Sequence, residues 1–389
     1  MWPALPADVS LVASAVLISA GGVLGRVLLP DVARTTTARV SFVGLAALVS
    51  VAHVAWARAP FAIAYWGAAS ASVILCLLPL TVASLPIAAI LRRATNAALP
   101  SPSPAGPTVT RRAALGAATA IAPVMALGAG VSGFTTAAAP PRIPRVRFAF
   151  DDLDAGLRGL RILHLSDLHL GVDKHVDDLE ALFDALRRRD ERPDLVVFTG
   201  DVAEDVRELG PALDAAVRFG PRLGVFATLG NHEYLHDVSA ARRVYAQKRD
   251  VRLLVSEGAL VRAGAARLWI AGADDPVFVN ADPTPFLSRS IDAALDGAPS
   301  DAFRLLLCHR PEGFVPAAAA GVHLTLAGHT HGGQIGFNGK SAFEPIWSDR
   351  YLWGRYSRGA SRLYTTSGFG HWFPFRLLCP TEAPIVEIA

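Results

Sequence analysis

Eight polar side chains carry this sequence's chemistry, and each stands just beyond a short apolar run. LRILHLSDLHLG ends in Asp167 and His169, DLVVFTGDVAE in Asp201, and GVFATLGNHEY in Asn231 and His232. FRLLLCHRPE ends in His309, and HLTLAGHTHGGQ in His329 and His331. Taken singly, such residues are usually structural: Asp-x-His makes a turn, Gly-Asp ends a strand, and a lone His is satisfied locally. As an ordered set they offer carboxylates, an amide and imidazoles together, a donor mixture that suits borderline first-row ions such as Mn²⁺, Fe²⁺/³⁺ or Zn²⁺. Gly328, Gly332 and Gly333 allow backbone bends and close approach around the two last histidines. Two apart on an extended segment, His329 and His331 are expected to point the same way.

The elements that must position these groups follow from periodicity. From about Ile143 the chain alternates short β-branched or leucine-rich runs with amphipathic stretches. Strands are expected at Leu160–Leu165, Leu195–Thr199, Gly224–Thr228, Arg267–Ala271, Phe303–Leu307, His323–Leu326, Arg362–Thr365 and Ile385–Ile388. A helix is expected over Val176–Arg189, where Leu179, Leu182, Phe183 and Leu186 recur at spacings of three and four. Buried strands separated by helices argue for an α/β layered domain, in which ligands bind beyond the carboxyl ends of the strands. Five such ends carry the eight residues.

SDLHLG, GNHEY, HRPE and GHTHGGQ resemble the calcineurin-like metallophosphoesterase superfamily, and above all its bacterial membrane-associated branch. The resemblance runs from about residue 143 to the closing SGFGHWFPFRLLCPTEAPIVEI, with departures at Thr381 and Trp372-Phe373, outside the ligand set. It implies two packed β-sheets flanked by helices, over residues 141–389. It also implies that Asp167, His169 and His331 hold one metal, that Asn231, His309 and His329 hold a second, and that Asp201 bridges them beside a hydroxide. That hydroxide would attack a phosphodiester or monoester in line, while His232 binds the phosphoryl oxygen and protonates the leaving group, where its bland alternative is to support the turn. Two divalent ions against two aspartates and a hydroxide leave about one positive charge to draw an anionic substrate. Glu204, Glu233 and Arg310 flank these ligands and are expected to orient them. His175, His236 and His371 are expected in exposed or loop positions, His164 and His323 in structural ones, and Cys308 as a packing residue.

The first 140 residues differ in kind. They hold eight arginines, no lysine and only Asp8 and Asp31, a net +6, so residues 141–389 carry −3 of the overall +3. Four apolar stretches, Val9–Pro30, Val40–Ala57, Phe61–Leu91 and Ala113–Gly133, approach the ~20 residues that span a bilayer. Arginines concentrate after the first and third, which puts those loops inside and the following domain outside the cell membrane. TVTRRAALGAA reads either as a twin-arginine export signal or as a positive-inside anchor. Pro140 after Ala139 makes a poor cleavage product, so the domain is expected to stay tethered.

A domain at net −3 lacks the basic track that nucleic acid demands. Three cysteines give no disulfide framework. Tethering favours a lipid-linked or envelope phosphoester. Two alternatives are a cytoplasmic-face lipid pyrophosphate hydrolase of the UDP-diacylglucosamine type and a non-catalytic metal-binding module. A decayed site would have lost a ligand or the histidine acid, and all eight positions are present.

Overall fold

The computed structural model describes residues 128–277, 282–371 and 373–389. The expected spans lie outside these residues, except the end of the fourth, which falls in a helix over residues 128–138. Among the described residues no helix is long and apolar enough to cross a membrane. The chain divides into two compact units, residues 1–135 with 373–375, and residues 136–372 with 376–389. All eight residues singled out above belong to the second.

In chain order its strands are β1 (Arg145–Phe148), β2 (Leu160–Leu165), β3 (Leu195–Thr199), β4 (Val225–Thr228), β5 (Val251–Leu253), β6 (Glu257–Ala263), β7 (Ala266–Gly272), β8 (Phe303–Leu307), β9 (Leu324–Ala327), the short pair β10 (Gly336–Phe337) and β11 (Lys340–Ser341), β12 (Gly354–Arg358), β13 (Ser361–Thr365) and β14 (Ile385–Ile388). The helices are α1 (Val176–Arg188), α2 (Val206–Phe219), α3 (Asn231–His236), α4 (Val238–Gln247), α5 (Thr284–Leu295) and α6 (Phe314–Ala319). One six-stranded sheet runs β1-β14-β2-β3-β4-β5 and another β12-β13-β9-β8-β7-β6.

Period-2 alternation sends each strand's side chains to two different cores. Ile162, Leu195 and Val197 of the first sheet meet Leu268, Ile270, Leu305, Leu307, Leu324 and Leu326 of the second in one buried cluster. The intervening residues Leu163, Leu165, Val196 and Phe198 face outward onto Leu179, Leu182, Phe183 and Leu186 of α1 and Leu209 and Leu213 of α2. On the far side, Trp269, Ala271, Leu306 and Cys308 pack with Leu287 and Ile291 of α5. Helices thus cover both outer faces of two packed sheets. The central strands β2-β3-β4 and β7-β8-β9 are parallel within their sheets, so their carboxyl ends emerge along one edge.

Helix ends are fixed locally. Asp178 accepts the His175 backbone N–H at 2.9 Å, and Asp205 accepts that of Arg207 at 2.9 Å. Acidic Asp177 and Asp178 open α1, and Arg187 and Arg188 close it, in the sense the helix dipole favours. The strands without expectation in the sequence are the edge strands β5, β6 and β12, of mixed polarity, the short pair β10 and β11, and β1, an edge strand whose outward positions are arginines.

Candidate metal centre

The eight residues meet at the joined edge of the two sheets. Asp167 and His169 follow β2, Asp201 follows β3, and Asn231 and His232 open α3 after β4. From the second sheet, His309 follows β8, and His329 and His331 follow β9. Asp167, His169, Asp201, His309 and His331 are all at most 3% exposed. Burying two carboxylates among imidazoles is costly unless something pairs with them.

The backbone turns sharply at these points. Asp167, His169, Asp201, His329 and His331 all have φ between 49° and 68°. A left-handed conformation at a residue with a Cβ costs about 1–2 kcal/mol, and such strain gathers at functional sites. The segment around His329 and His331 is therefore not extended as the sequence suggests but a tight turn, with Gly332 and Gly333 also left-handed. The turn sends the two rings to different neighbours. His329 Nδ1 lies 3.1 Å from His309 Nε2, whereas His331 Nε2 lies 3.1 Å from His169 Nε2 and 3.4 Å from Asp167 Oδ1. Gly328 serves by close approach: a Cβ there would strike Ser166 Oγ and Asp167 Oδ2. That closeness lets the His329 backbone N–H donate to both Asp167 oxygens at 3.0 Å.

Two donor sets meet beside Asp201, which belongs to the second and is also grouped with His169 of the first. Asp167, His169 and His331 form one group whose ligand atoms lie within 4.8 Å of one another, and Asp201, His309 and His329 form another. Asp201 Oδ2 is 3.2 Å from His309 Nε2 and 4.0 Å from His169 Nε2. Asn231 Oδ1 reaches His309 Nε2 at 3.1 Å.

The remote ring nitrogens of His309 and His169 are held as metal-binding histidines require, whereas those of His329 and His331 face guanidinium groups, which only donate. Thr199 O accepts the His309 Nδ1–H at 2.8 Å, and Glu204 accepts the His169 Nδ1–H at 2.5 Å, leaving each Nε2 lone pair for the site. Arg310 Nη1 lies 3.0 Å from His329 Nε2, and Arg376 Nη2 lies 3.0 Å from His331 Nδ1. Converging lone pairs from buried oxygen and imidazole donors fit a pair of divalent cations.

Electrostatics follow from this packing. Burial pushes the Asp201 carboxyl up, but the His309 ring beside it prevails and holds it well below the carboxylate range. Burial opposes the charged form of His309 too, yet Asp201 raises it to about 10. Burial likewise presses His232 down, but Glu204 and then Asp201 lift it to about 9. Burial drives His329 and His331 well below the ordinary value, helped by neighbouring rings and by Arg310 and Arg376. Asp167 is raised, chiefly by burial.

The orienting residues occupy closer quarters than their neighbourhood in sequence implies. Glu233 turns back to accept the N–H groups of Asp201, Val202 and Gly230 at 3.0, 2.7 and 2.8 Å. Arg310 is clamped by buried Asp275, with Nε at 2.8 Å. Buried Arg376 donates to the His331 and Gly370 carbonyls. Two further residues, Ser166, whose Oγ donates to Asp167 Oδ2 at 2.6 Å, and Asp275, join the site from outside the eight. Asp275 had a signal, since GADDP follows β7 on the same edge. His371 lies in a loop, yet it is buried there beside Asp173 at 2.9 Å. His164 sits 2.8 Å from Thr199 Oγ1, as a structural histidine would. Cys308 and Cys379 are free and buried, and Cys308 is pushed to about 12 by burial.

A family model for calcineurin-like phosphoesterases matches residues 160–333, which include all eight site residues. An uncharacterised metallophosphoesterase of Aquifex aeolicus is 30% identical over 232 residues, covering 59% of this chain and 85% of the relative. The chain belongs to the calcineurin-like phosphoesterase family. This is a family of metal-dependent phosphoester hydrolases. An uncharacterised metallophosphoesterase of Campylobacter jejuni is 28% identical over 254 residues, covering 64% of each chain. A zebrafish (Danio rerio) protein called a transmembrane protein with metallophosphoesterase domain is 28% identical over 277 residues, covering 68% of this chain and 61% of its own. The chain therefore spans less than two thirds of these last two relatives.

Proposed function

We propose that this chain is a membrane-tethered, dinuclear-metal phosphoesterase, with residues 1–140 as the membrane region and 141–389 as the catalytic domain. The observation that carries the reading is Asp201, a buried carboxylate whose Oδ2 lies between His309 of one donor set, at 3.2 Å, and His169 of the other, at 4.0 Å. In this reading Asp167, His169 and His331 hold one ion, Asn231, His309 and His329 hold the other, and Asp201 joins them. When bound, a pair of cations neutralises phosphoryl oxygens and activates a water for in-line displacement. The donor set suits manganese, iron or zinc.

The chain's own groups do the rest. His232 stands at the open side of the centre, its Nε2 3.9 Å from Asp201 Oδ2 and its side chain 19% exposed. Raised to about 9 with Glu204 behind it, it is protonated near neutral pH and delivers its proton to the leaving-group oxygen. Glu233 fixes the turn that carries both Asp201 and Asn231. Arg310, oriented by Asp275, brings a fixed positive charge to the rim beside His329.

Tethering is supported by the apolar first 140 residues and by the printed name of the zebrafish relative. The arginine distribution favours an extracytoplasmic domain acting on a lipid-linked or envelope phosphoester. The test is hydrolysis of an aryl phosphodiester and an aryl phosphomonoester by the full chain in detergent, after chelation and after Mn²⁺ is returned. Activity should vanish and come back, and Asp201→Asn should lower it by about 10³-fold. A wild-type protein that binds two ions yet cleaves neither ester class overturns the reading.

A further inference from the structure

His232-Glu233-Tyr234-Leu235-His236 places two imidazoles four residues apart on α3, a His-Glu-x-x-His spacing that puts both on one helical face. Such pairs bind zinc when a third ligand joins them, and the glutamate between them then acts as a base. Here Glu233 is committed elsewhere, buried against three backbone N–H groups. A different carboxylate takes the third place. Glu204, from the loop after β3, contacts His236 Nε2 through Oε2, and its Oε1 is 2.5 Å from His232 Nδ1.

These three ligand atoms lie within 4.8 Å of one another. His232 Nδ1 is also buried and lacks an aligned hydrogen-bond partner, although the Glu204 oxygen is so near. A ring nitrogen this close to a carboxylate oxygen shares a cation with it once its proton has left. Two imidazoles and one carboxylate with a fourth position open are the donor set of many zinc sites. The His236 side chain, 24% exposed, opens that space to solvent.

We propose that Glu204, His232 and His236 form a third zinc site, beside the dinuclear centre, whose occupancy inhibits the enzyme. The inhibitory consequence rests on the reading of His232 as the leaving-group acid. Zinc at Nδ1 takes that nitrogen's electron pair and releases its proton to solvent. The ring that remains is neutral, and its Nε2–H is a far weaker acid than imidazolium, so the leaving group goes unprotonated. Glu204 is drawn from its role behind the ring at the same time. Excess zinc then slows turnover without displacing the two catalytic ions.

The experiment adds Zn²⁺ to the Mn²⁺-loaded full chain in detergent and follows both bound metal and hydrolysis, in wild type and in His236→Ala. Wild type should bind three first-row ions per chain and lose activity as the third is taken up. His236→Ala should bind two, keep its zinc-free rate within about twofold, and need at least about tenfold more zinc for half inhibition. Equal metal counts in the two proteins, or a third ion in wild type that leaves the rate unchanged, overturn the proposal. The metal count also separates this inference from the phosphoesterase reading. A chain that hydrolyses nothing but binds three ions, and two in the variant, retains the site and loses the enzyme.

Discussion

Asp201 Oδ2 and His309 Nε2 stand 3.2 Å apart, one at the end of β3 and the other at the end of β8, so a single ion pair joins the carboxyl edges of two different sheets. The same histidine donates through Nδ1 to Thr199 O, one strand residue before the turn that carries Asp201. Sheet packing and site assembly are thereby one event.

That pair sets a pH dependence for the metal-stripped protein. His309 is raised from 6.5 to about 10, so its contribution to stability is fully present below pH 6.5 and is lost as pH climbs through 10. Its removal strands buried Asp201 without its partner, at a cost of about 3–5 kcal/mol. His309→Ala should therefore cost most near pH 6 and measurably less at pH 10, in denaturant melts of chelated protein. A cost independent of pH would mean that His309 does not carry the charge.

Glu204 lifts His232, so its loss should move the pH profile. A leaving-group acid must be protonated, and the rate falls as pH rises past its pKa. In Glu204→Gln the alkaline limb of kcat should shift to lower pH, with kcat down about 10–100-fold. Glu204 also orients His169, so metal content is to be read alongside. An unmoved alkaline limb would assign the acid elsewhere.

Gly328 leaves no room for a methyl group against Ser166 and Asp167. Gly328→Ala should destabilise the domain by about 1–3 kcal/mol and weaken metal binding, since Asp167 and the His329 N–H must part. Thermal melts with and without Mn²⁺ test both effects. A variant that melts and binds as wild type does would show that the turn yields.

Metal should stabilise the fold as well as activate it. The ligands come from five strand ends, and an ion that binds only the assembled edge adds about 2.7 kcal/mol at a hundredfold excess over its Kd. Chelation should lower the melting temperature, and Asp201→Asn should lose most of that difference.

Much of this was legible beforehand. The strands at 160–165, 195–199, 303–307 and 385–388 are legible to the residue because nearly every position in them is buried and most are aliphatic or aromatic. The polar residues after them stood out against such runs. Edge strands such as β6 and β12, half exposed, carry no comparable pattern. The extended segment expected around His329 proved a left-handed turn, because packing against Asp167 overrides the local preference.

By itself, then, the sequence determined which side chains lie beyond strand ends, since alternation and apolar runs are local properties of the chain. The tertiary structure decided which of them face each other. That His331 turns to His169 while His329 turns to His309, that Glu204 meets three histidines at once, and that His371 is buried all depend on contacts across tens to hundreds of residues, for which no local pattern is a proxy.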